Sequence, residues 1–138
     1  MDTIVHELAE TVRTAASNKS PLCIRGGGSK DFYGGAPRGE TLSVAAYRGI
    51  IDYEPSELVL TARAGTRLAE IETALRDKGQ MLAFEPPHFG PHTTLGGCIA
   101  AGLSGPRRAY AGAVRDAVLG VRMLDGKGDD LRFGACRR

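Results

Sequence analysis

An α+β fold of two small lobes is the class this sequence predicts, and three observations lead to it. Its 138 residues amount to about one domain at the usual ~150 residues each. Helical and strand periodicities follow one another without a clean βαβα alternation, which points away from a doubly wound parallel sheet. Glycine supplies 19 residues, roughly twice the typical share of about 7%, and it gathers where strands and turns empty into loops. The break between the lobes is placed near Pro55, with a first lobe of about 1–55 and a second of about 56–138.

Ile4, Leu8, Val12 and Ala15/Ala16 recur at helical spacing and predict a helix from about Thr3 to Ser17, stopped by Asn18, Ser20 and Pro21. Leu22–Arg25 reads as a short buried strand, with Cys23 inside it, that runs directly into Gly26-Gly27-Gly28-Ser29. The Gly/Ala/Pro-rich stretch 34–39 is an irregular connection, followed by strands over Thr41–Val44 and Gly49–Tyr53, a turn at Glu54-Pro55-Ser56, and a strand over Leu58–Ala62. Thr66 is the expected N-cap of a helix in which Leu68, Ile71 and Leu75 share a face and Gly79 is the stop. Glu72 and Arg76, spaced i, i+4, read as a solvated helix face. Met81–Phe84 is expected to form one more strand, broken by Glu85-Pro86-Pro87, and a short helix starts at Thr94 or Leu95. Val118–Leu124, Asp125-Gly126-Lys127-Gly128 and Leu131–Phe133 form a hairpin with an Asp-Gly turn.

The balance of 18 basic against 16 acidic residues, a net charge of +2, gives no support to nucleic-acid binding; only Arg107-Arg108 and Arg137-Arg138 are paired basics. Cys23, Cys98 and Cys136 are odd in number and widely spaced, which argues against a disulfide framework or a zinc knuckle and for a reducing compartment. The N-terminus lacks a signal-peptide pattern, and no apolar run reaches the roughly 18 residues of a membrane span, so a soluble protein is expected.

Two glycine-rich stretches carry the functional signal: Arg25-Gly26-Gly27-Gly28-Ser29-Lys30, and Thr94-Leu95-Gly96-Gly97 with its extension Gly102-Leu103-Ser104-Gly105-Pro106. Successive residues without Cβ let backbone N–H groups converge on one concavity and hold a phosphate. Ser29 adds a hydroxyl donor and Lys30 a charge. Three glycines in a row equally serve a tight turn. The P-loop and the Gly-x-Gly-x-x-Gly fingerprints are both absent, so a dinucleotide would bind by another route.

Ile24-Arg25-Gly26-Gly27-Gly28-Ser29, Tyr53 to Gly65 ending in Thr61-Ala62-Arg63-Ala64-Gly65, and Thr93 to Pro106 together resemble, in order and spacing, the FAD-binding domain of the vanillyl-alcohol oxidase and p-cresol methylhydroxylase type. Within that type, Glu85-Pro86-Pro87-His88-Phe89-Gly90, Leu95-Gly96-Gly97-Cys98 and Ser104 to Gly112 are similar to the FAD-binding subunits of bacterial glycolate oxidase. The resemblance implies two α/β lobes with FAD in the cleft between them. It implies that Gly26–Lys30, preceded by Arg25, wraps the pyrophosphate, and that Pro87, Thr94, Leu95, Gly96, Gly97, Ser104 and Gly105 line the rest of the cofactor. Some members attach FAD through a histidine after the paired glycines; Ser29 stands there, so FAD is expected to be noncovalent.

The activity implied is oxidation of a 2-hydroxy acid, glycolate to glyoxylate, in a complex with a second flavin subunit and an iron–sulfur subunit, cytoplasmic or held peripherally at the inner membrane through that complex. Full-length members continue beyond the strand resembling Leu131–Gly134, so the chain is read as truncated after the FAD-binding region and inactive by itself. The other readings are a different FAD-dependent dehydrogenase, such as a lactate type or a cell-wall precursor reductase, and a cofactor-free assembly module. No catalytic base is assigned and no metal is expected, because Pro86, Pro87, Gly90 and Pro91 prevent His88 and His92 from sharing a helix face. His88 is read as a neighbour of the flavin, and Cys98 as a buried small hydrophobe. Arg107, Arg108 and Arg115 are either carboxylate binders or solvated surface, and Asp116 a local partner of Arg115.

Overall fold

The computed structural model describes residues 2–135; Cys136 and Arg137-Arg138 lie outside the described residues. Helix α1 spans Thr3–Ser17, as its apolar spacing predicts, but its most buried residues are Val5, Ala9 and Ala15, while Ile4, Leu8 and Val12 are half-buried. Strands β1 (Leu22–Arg25) and β2 (Glu40–Ser43) form one two-stranded sheet. β1 is not the buried strand expected: Cys23 is half-buried and Ile24 is 73% exposed, because a sheet of two strands leaves much of its surface uncovered.

β3 (Ile50–Glu54) and β4 (Val59–Ala62) pair antiparallel, with Tyr53 opposite Leu60 and Glu54 opposite Val59. Pro55 therefore lies in a hairpin turn, where the Ser56 hydroxyl donates to Glu54 Oε1 at 2.6 Å. Gln80 ties this turn to the end of the next helix, accepting from the Tyr53 hydroxyl at 2.5 Å and donating to the Pro55 carbonyl at 2.8 Å.

α2 covers Leu68–Arg76 and buries Leu68, Ile71 and Leu75, the face its spacing predicts. Its N-cap is Arg67 and not Thr66. The Thr66 hydroxyl is spent otherwise, donating to the Arg63 carbonyl at 2.7 Å and accepting from Gly49 N–H at 2.9 Å. That binds the start of β3 to the segment entering α2, and Thr66 is fully buried. Gly79 adopts φ +68° as the helix ends, the left-handed conformation that favours glycine there. Glu72 faces His88 rather than Arg76, with Oε1 2.9 Å from Nε2.

Residues 81–84 form no strand; the Pro86-Pro87 pair that follows withholds two N–H donors from any ladder. α3 (Leu95–Ala101) is capped by Thr94. Two single-turn helices that periodicity does not reveal, α4 (Arg108–Ala111) and α5 (Val114–Ala117), precede the antiparallel hairpin of β5 (Gly120–Leu124) and β6 (Asp130–Gly134). Its loop is closed by Asp125, whose Oδ1 accepts from Lys127 and Asp129 N–H at 2.8 and 2.9 Å. Those two backbone donors hold the Asp125 carboxyl below its ordinary range.

By contacts the chain forms two compact units that interleave in sequence. Among the described residues, one comprises 2–24, 35–42 and 118–135, the other 25–34 and 43–117; Pro55 and both strands of its hairpin lie in the second. The first buries Val5, Ala9, Ala15 and Leu42, and Arg13 Nη2 donates to the Gly128 carbonyl at 2.8 Å. The second buries Thr66, Leu68, Ile71, Thr93 and Thr94 and contains both glycine-rich stretches.

Two outcomes follow from this packing. Ile71→Ala removes a side chain that is 1% exposed and is expected to lower unfolding free energy by about 2–5 kcal/mol; Thr66→Val, which strands Gly49 N–H, by about 1–3 kcal/mol. Urea titration checks both, and a loss below about 0.5 kcal/mol for Thr66→Val would show that its hydroxyl is not structural. The lowered folded-state value of Asp125 means that its contribution is present above the ordinary carboxylate range and lost as pH falls through that lowered value. Carboxyl NMR is expected to place the Asp125 midpoint below that of an unstructured aspartate.

Candidate functional site

The two glycine-rich stretches meet within the second unit. A Cβ on Gly26 would fall 2.8 Å from Thr94 Oγ1, and one on Gly27 would overlap the His92 carbonyl, so the first loop lies directly against the chain at 92–94. Gly28 turns the loop at φ +69°, over the guanidinium of Arg25. Arg25 in turn grips Asp31 and holds that exposed carboxyl below its usual range. Arg25 thus braces the loop from beneath.

The second stretch is held by backbone bonds. Leu68 N–H donates to the Thr93 carbonyl at 2.9 Å, Leu95 N–H to the Thr66 carbonyl at 2.8 Å and Gly96 N–H to the Ala64 carbonyl at 2.8 Å, while Arg67 and Thr94 form an isolated antiparallel bridge. Gly96 permits this approach, since a Cβ there would lie 2.8 Å from the Ala64 Cβ.

Donor accounting separates the two loops. In α3, Gly97 N–H is bound to Thr94 Oγ1 at 3.2 Å and Cys98 N–H to the Thr94 carbonyl at 3.0 Å. Thus the amides of Leu95, Gly96, Gly97 and Cys98 are all committed inside the protein, and the second stretch is not the amide nest its glycines suggest. The first loop is different: the N–H groups of Gly26, Gly27, Gly28, Ser29 and Lys30 have no hydrogen-bond acceptor among the described residues. Five successive half-buried residues with open donors suit a diphosphate. The Ser29 hydroxyl and the Lys30 ammonium, which makes no ion pair among the described residues, stand with them. Lys30 Nζ is 5.7 Å from the Phe89 ring centre and close to the start of α3, 3.7 Å from where a Gly97 Cβ would be. Its charge opposes the upward push that burial gives the Cys98 thiol, and Cys98, at 3% exposure, packs as a small buried group.

The remaining sequence-predicted positions make other contacts. The Ser104 hydroxyl is buried and accepts from Val114 N–H at 2.9 Å, and a Gly105 Cβ would come 2.5 Å from the Glu85 carbonyl. Pro87 is half-buried beside buried Pro86. Arg107 N–H donates to Glu85 Oε2 at 3.1 Å; Arg107, Arg108 and Arg115 are exposed, with Arg115 3.8 Å from Asp116. His88 is occupied by Glu72, and no group of three metal-ligating side chains occurs among the described residues. Arg48 and Arg67, near Gly27, went unnoticed in the sequence; they lie outside the glycine motifs and carry no pattern of their own.

Among solved structures, Phl p 4, a grass pollen allergen with glucose dehydrogenase activity, superposes with a TM-score of 0.75 over 94% of this chain and 27% of its own, at 16% identity. Alkyldihydroxyacetonephosphate synthase gives 0.71 over 93% and 24%, at 20% identity. At such identities these likenesses establish the fold. In sequence, the glycolate oxidase subunit GlcE of Escherichia coli (strain K12) is 54% identical over 127 residues, which cover 92% of this chain and 36% of that relative. The chain therefore spans about a third of the length of the curated relative it matches. The family described as FAD binding domain matches residues 3–134. Nearly the whole chain is thus accounted for: it belongs to the FAD binding domain family, with FAD as its cofactor.

Proposed function

We propose that this chain is the FAD-holding part of a glycolate oxidase-like flavoprotein subunit, and that Gly26–Lys30 cradles the FAD diphosphate. One observation carries the assignment: five consecutive open amides, a free hydroxyl and an ammonium lie on one loop in a chain 54% identical to GlcE. Thr94, Leu95, Gly96 and Gly97 contribute shape, giving the dinucleotide a rigid wall, and Arg25 keeps the loop in position. Pro87, Ser104 and Gly105 are assigned to a further stretch of that wall, and the cofactor is held without a covalent bond.

Bound FAD would supply a two-electron acceptor for the oxidation of a 2-hydroxy acid to a 2-oxo acid, glycolate to glyoxylate, a reaction that removes a hydride from carbon and a proton from the hydroxyl. The protein's part in these residues is to neutralise and orient the diphosphate. The partners proposed are a second flavin subunit and an iron–sulfur subunit, in the cytoplasm or held peripherally at the inner membrane by that complex. No helix among the described residues is long and apolar enough to cross a membrane. By itself this chain is proposed to bind cofactor without turnover.

FAD is expected to raise the melting temperature of the chain saturably, since it binds the folded state, with FMN weaker. Lys30→Gln removes a charge that supports no ion pair among the described residues. It is expected to leave unliganded stability unchanged while weakening FAD by about 10- to 100-fold, the worth of a charged hydrogen bond of roughly 1.5–3 kcal/mol. Calorimetric titration measures this. An unchanged dissociation constant would remove the loop from the diphosphate, and a parent chain indifferent to FAD would favour an assembly module instead. Gly27→Val is a poor probe, because any Cβ there meets the His92 carbonyl and disturbs the loop directly.

A further inference from the structure

The β5–β6 hairpin stands as a sheet of only two strands, and such pairs are marginal in water without a third strand or a covering element. Its register sets Val121 opposite Phe133 and Met123 opposite Leu131, and opposed residues share a face. Each of these four apolar side chains belongs to a residue 36–53% exposed. β5 alternates half-buried and exposed residues, whereas all five residues of β6 are exposed. β6 is therefore the open edge.

The ladder fixes which backbone groups that edge presents. Asp125 N–H donates to the Asp129 carbonyl at 3.1 Å and Ala135 N–H to the Leu119 carbonyl at 3.0 Å. Because antiparallel partners alternate between bonded and non-bonded pairs, Leu131 and Phe133 turn their backbone groups toward β5, and Asp130, Arg132 and Gly134 turn theirs outward. Nothing blunts this row: β6 keeps its register without a bulge and contains no proline or lysine, the usual devices against edge pairing.

A second copy of β6 laid antiparallel on this edge meets a strong choice of register. A one-residue slip sends the two apolar faces to opposite sides of the sheet. Setting Arg132 opposite Arg132, or Asp130 opposite Asp130, opposes like charges. Setting Leu131 opposite Leu131 places Asp130 opposite Arg132 on both sides of the two-fold axis, and opposite charges across strands are favourable where like charges are not. In that register Asp130 and Arg132 exchange their outward backbone bonds, and Phe133 reaches Leu131 of the second copy on the diagonal. Asp130 already accepts from Arg122 of its own hairpin, and its carboxylate has lone pairs left for a second guanidinium. We propose that β6 is a dimerisation edge, where two copies of this chain pair antiparallel through Asp130–Gly134 about a two-fold axis at Leu131. The product is one four-stranded sheet with a continuous apolar face.

Sedimentation equilibrium of the whole chain tests this. The parent is expected to form a dimer and no larger species, since a two-fold contact closes on itself. Arg132→Glu and Asp130→Lys each oppose like charges at both pairs and are expected to weaken the dimer about tenfold or more. Mixed together, these two variants restore opposite charges at both pairs and are expected to form a heterodimer of near-parental affinity. Asp130→Lys also loses the bond to Arg122, so this rescue is the decisive reading, because a variant that had merely unfolded would not recover in the mixture. Arg132→Pro removes an outward N–H and no bond of the hairpin, and is expected to be monomeric. A parent that stays monomeric to about 1 mM overturns the proposal and leaves the edge to a strand of another polypeptide. A dimer indifferent to Arg132→Pro and to both charge changes also overturns it and moves the interface elsewhere on the chain.

Discussion

The site depends on a single arrangement: the segment His92–Gly96 held between the entry to α2 on one side and the first glycine loop on the other. On the α2 side the contact is made of backbone bonds from Leu68, Leu95 and Gly96, with Thr66 and Thr93 fully buried in the seam. On the loop side there is no hydrogen-bond ladder; Gly26 and Gly27 simply come so close to Thr94 and His92 that a Cβ would not fit. Buried backbone must find partners: Leu95 and Gly96 N–H find them at the Thr66 and Ala64 carbonyls before α2, and Thr93 N–H at the Gly90 carbonyl. The amides of Gly26 to Lys30 have no acceptor among the described residues. The phosphate site proposed for the loop rests on this asymmetry in who bonds to whom, with the Ser29 and Lys30 side chains beside the open amides.

This changes the meaning of the glycines. Their abundance signalled that bare backbone was needed, and the same composition fits two different uses. At Gly26, Gly27 and Gly96 the missing Cβ lets protein approach protein. At Gly28 it also lets the chain turn at φ +69°. The ligand benefits indirectly, because close packing of the loop against a bonded segment makes its donors rigid before anything binds. Preorganised donors lose less on binding than mobile ones.

The sequence was most legible where one element answers one pattern. α1 and the buried face of α2 follow from 3.6-residue spacing, and the β5–β6 hairpin from two β-rich runs around Asp125. It was least legible where tertiary partners decide. Thr66 has the right chemistry for a cap, yet its hydroxyl is drawn off by Gly49 and Arg63. Glu72 could have paired with Arg76 along the helix but meets His88, sixteen positions away. α4 and α5 are too short to show a period. For the site, the first loop was readable because glycines, a hydroxyl and a lysine are contiguous. Two glycines at a helix start cannot reveal that their amides are already spent, and Arg48 and Arg67 belong to no contiguous motif.

The same donor economy bears on selectivity between flavins. Riboflavin carries no phosphate and FMN only one, so neither can engage the proposed site through two phosphates. A dinucleotide can, and the two contacts then act on one molecule with the second made at high effective concentration. On the proposed reading, discrimination for FAD over FMN arises in the diphosphate, some distance along the ligand from the flavin ring. It needs no specific contact to the ring itself. On the proposed reading, a domain of this size selects and holds the dinucleotide through the residues from Gly26 to Lys30.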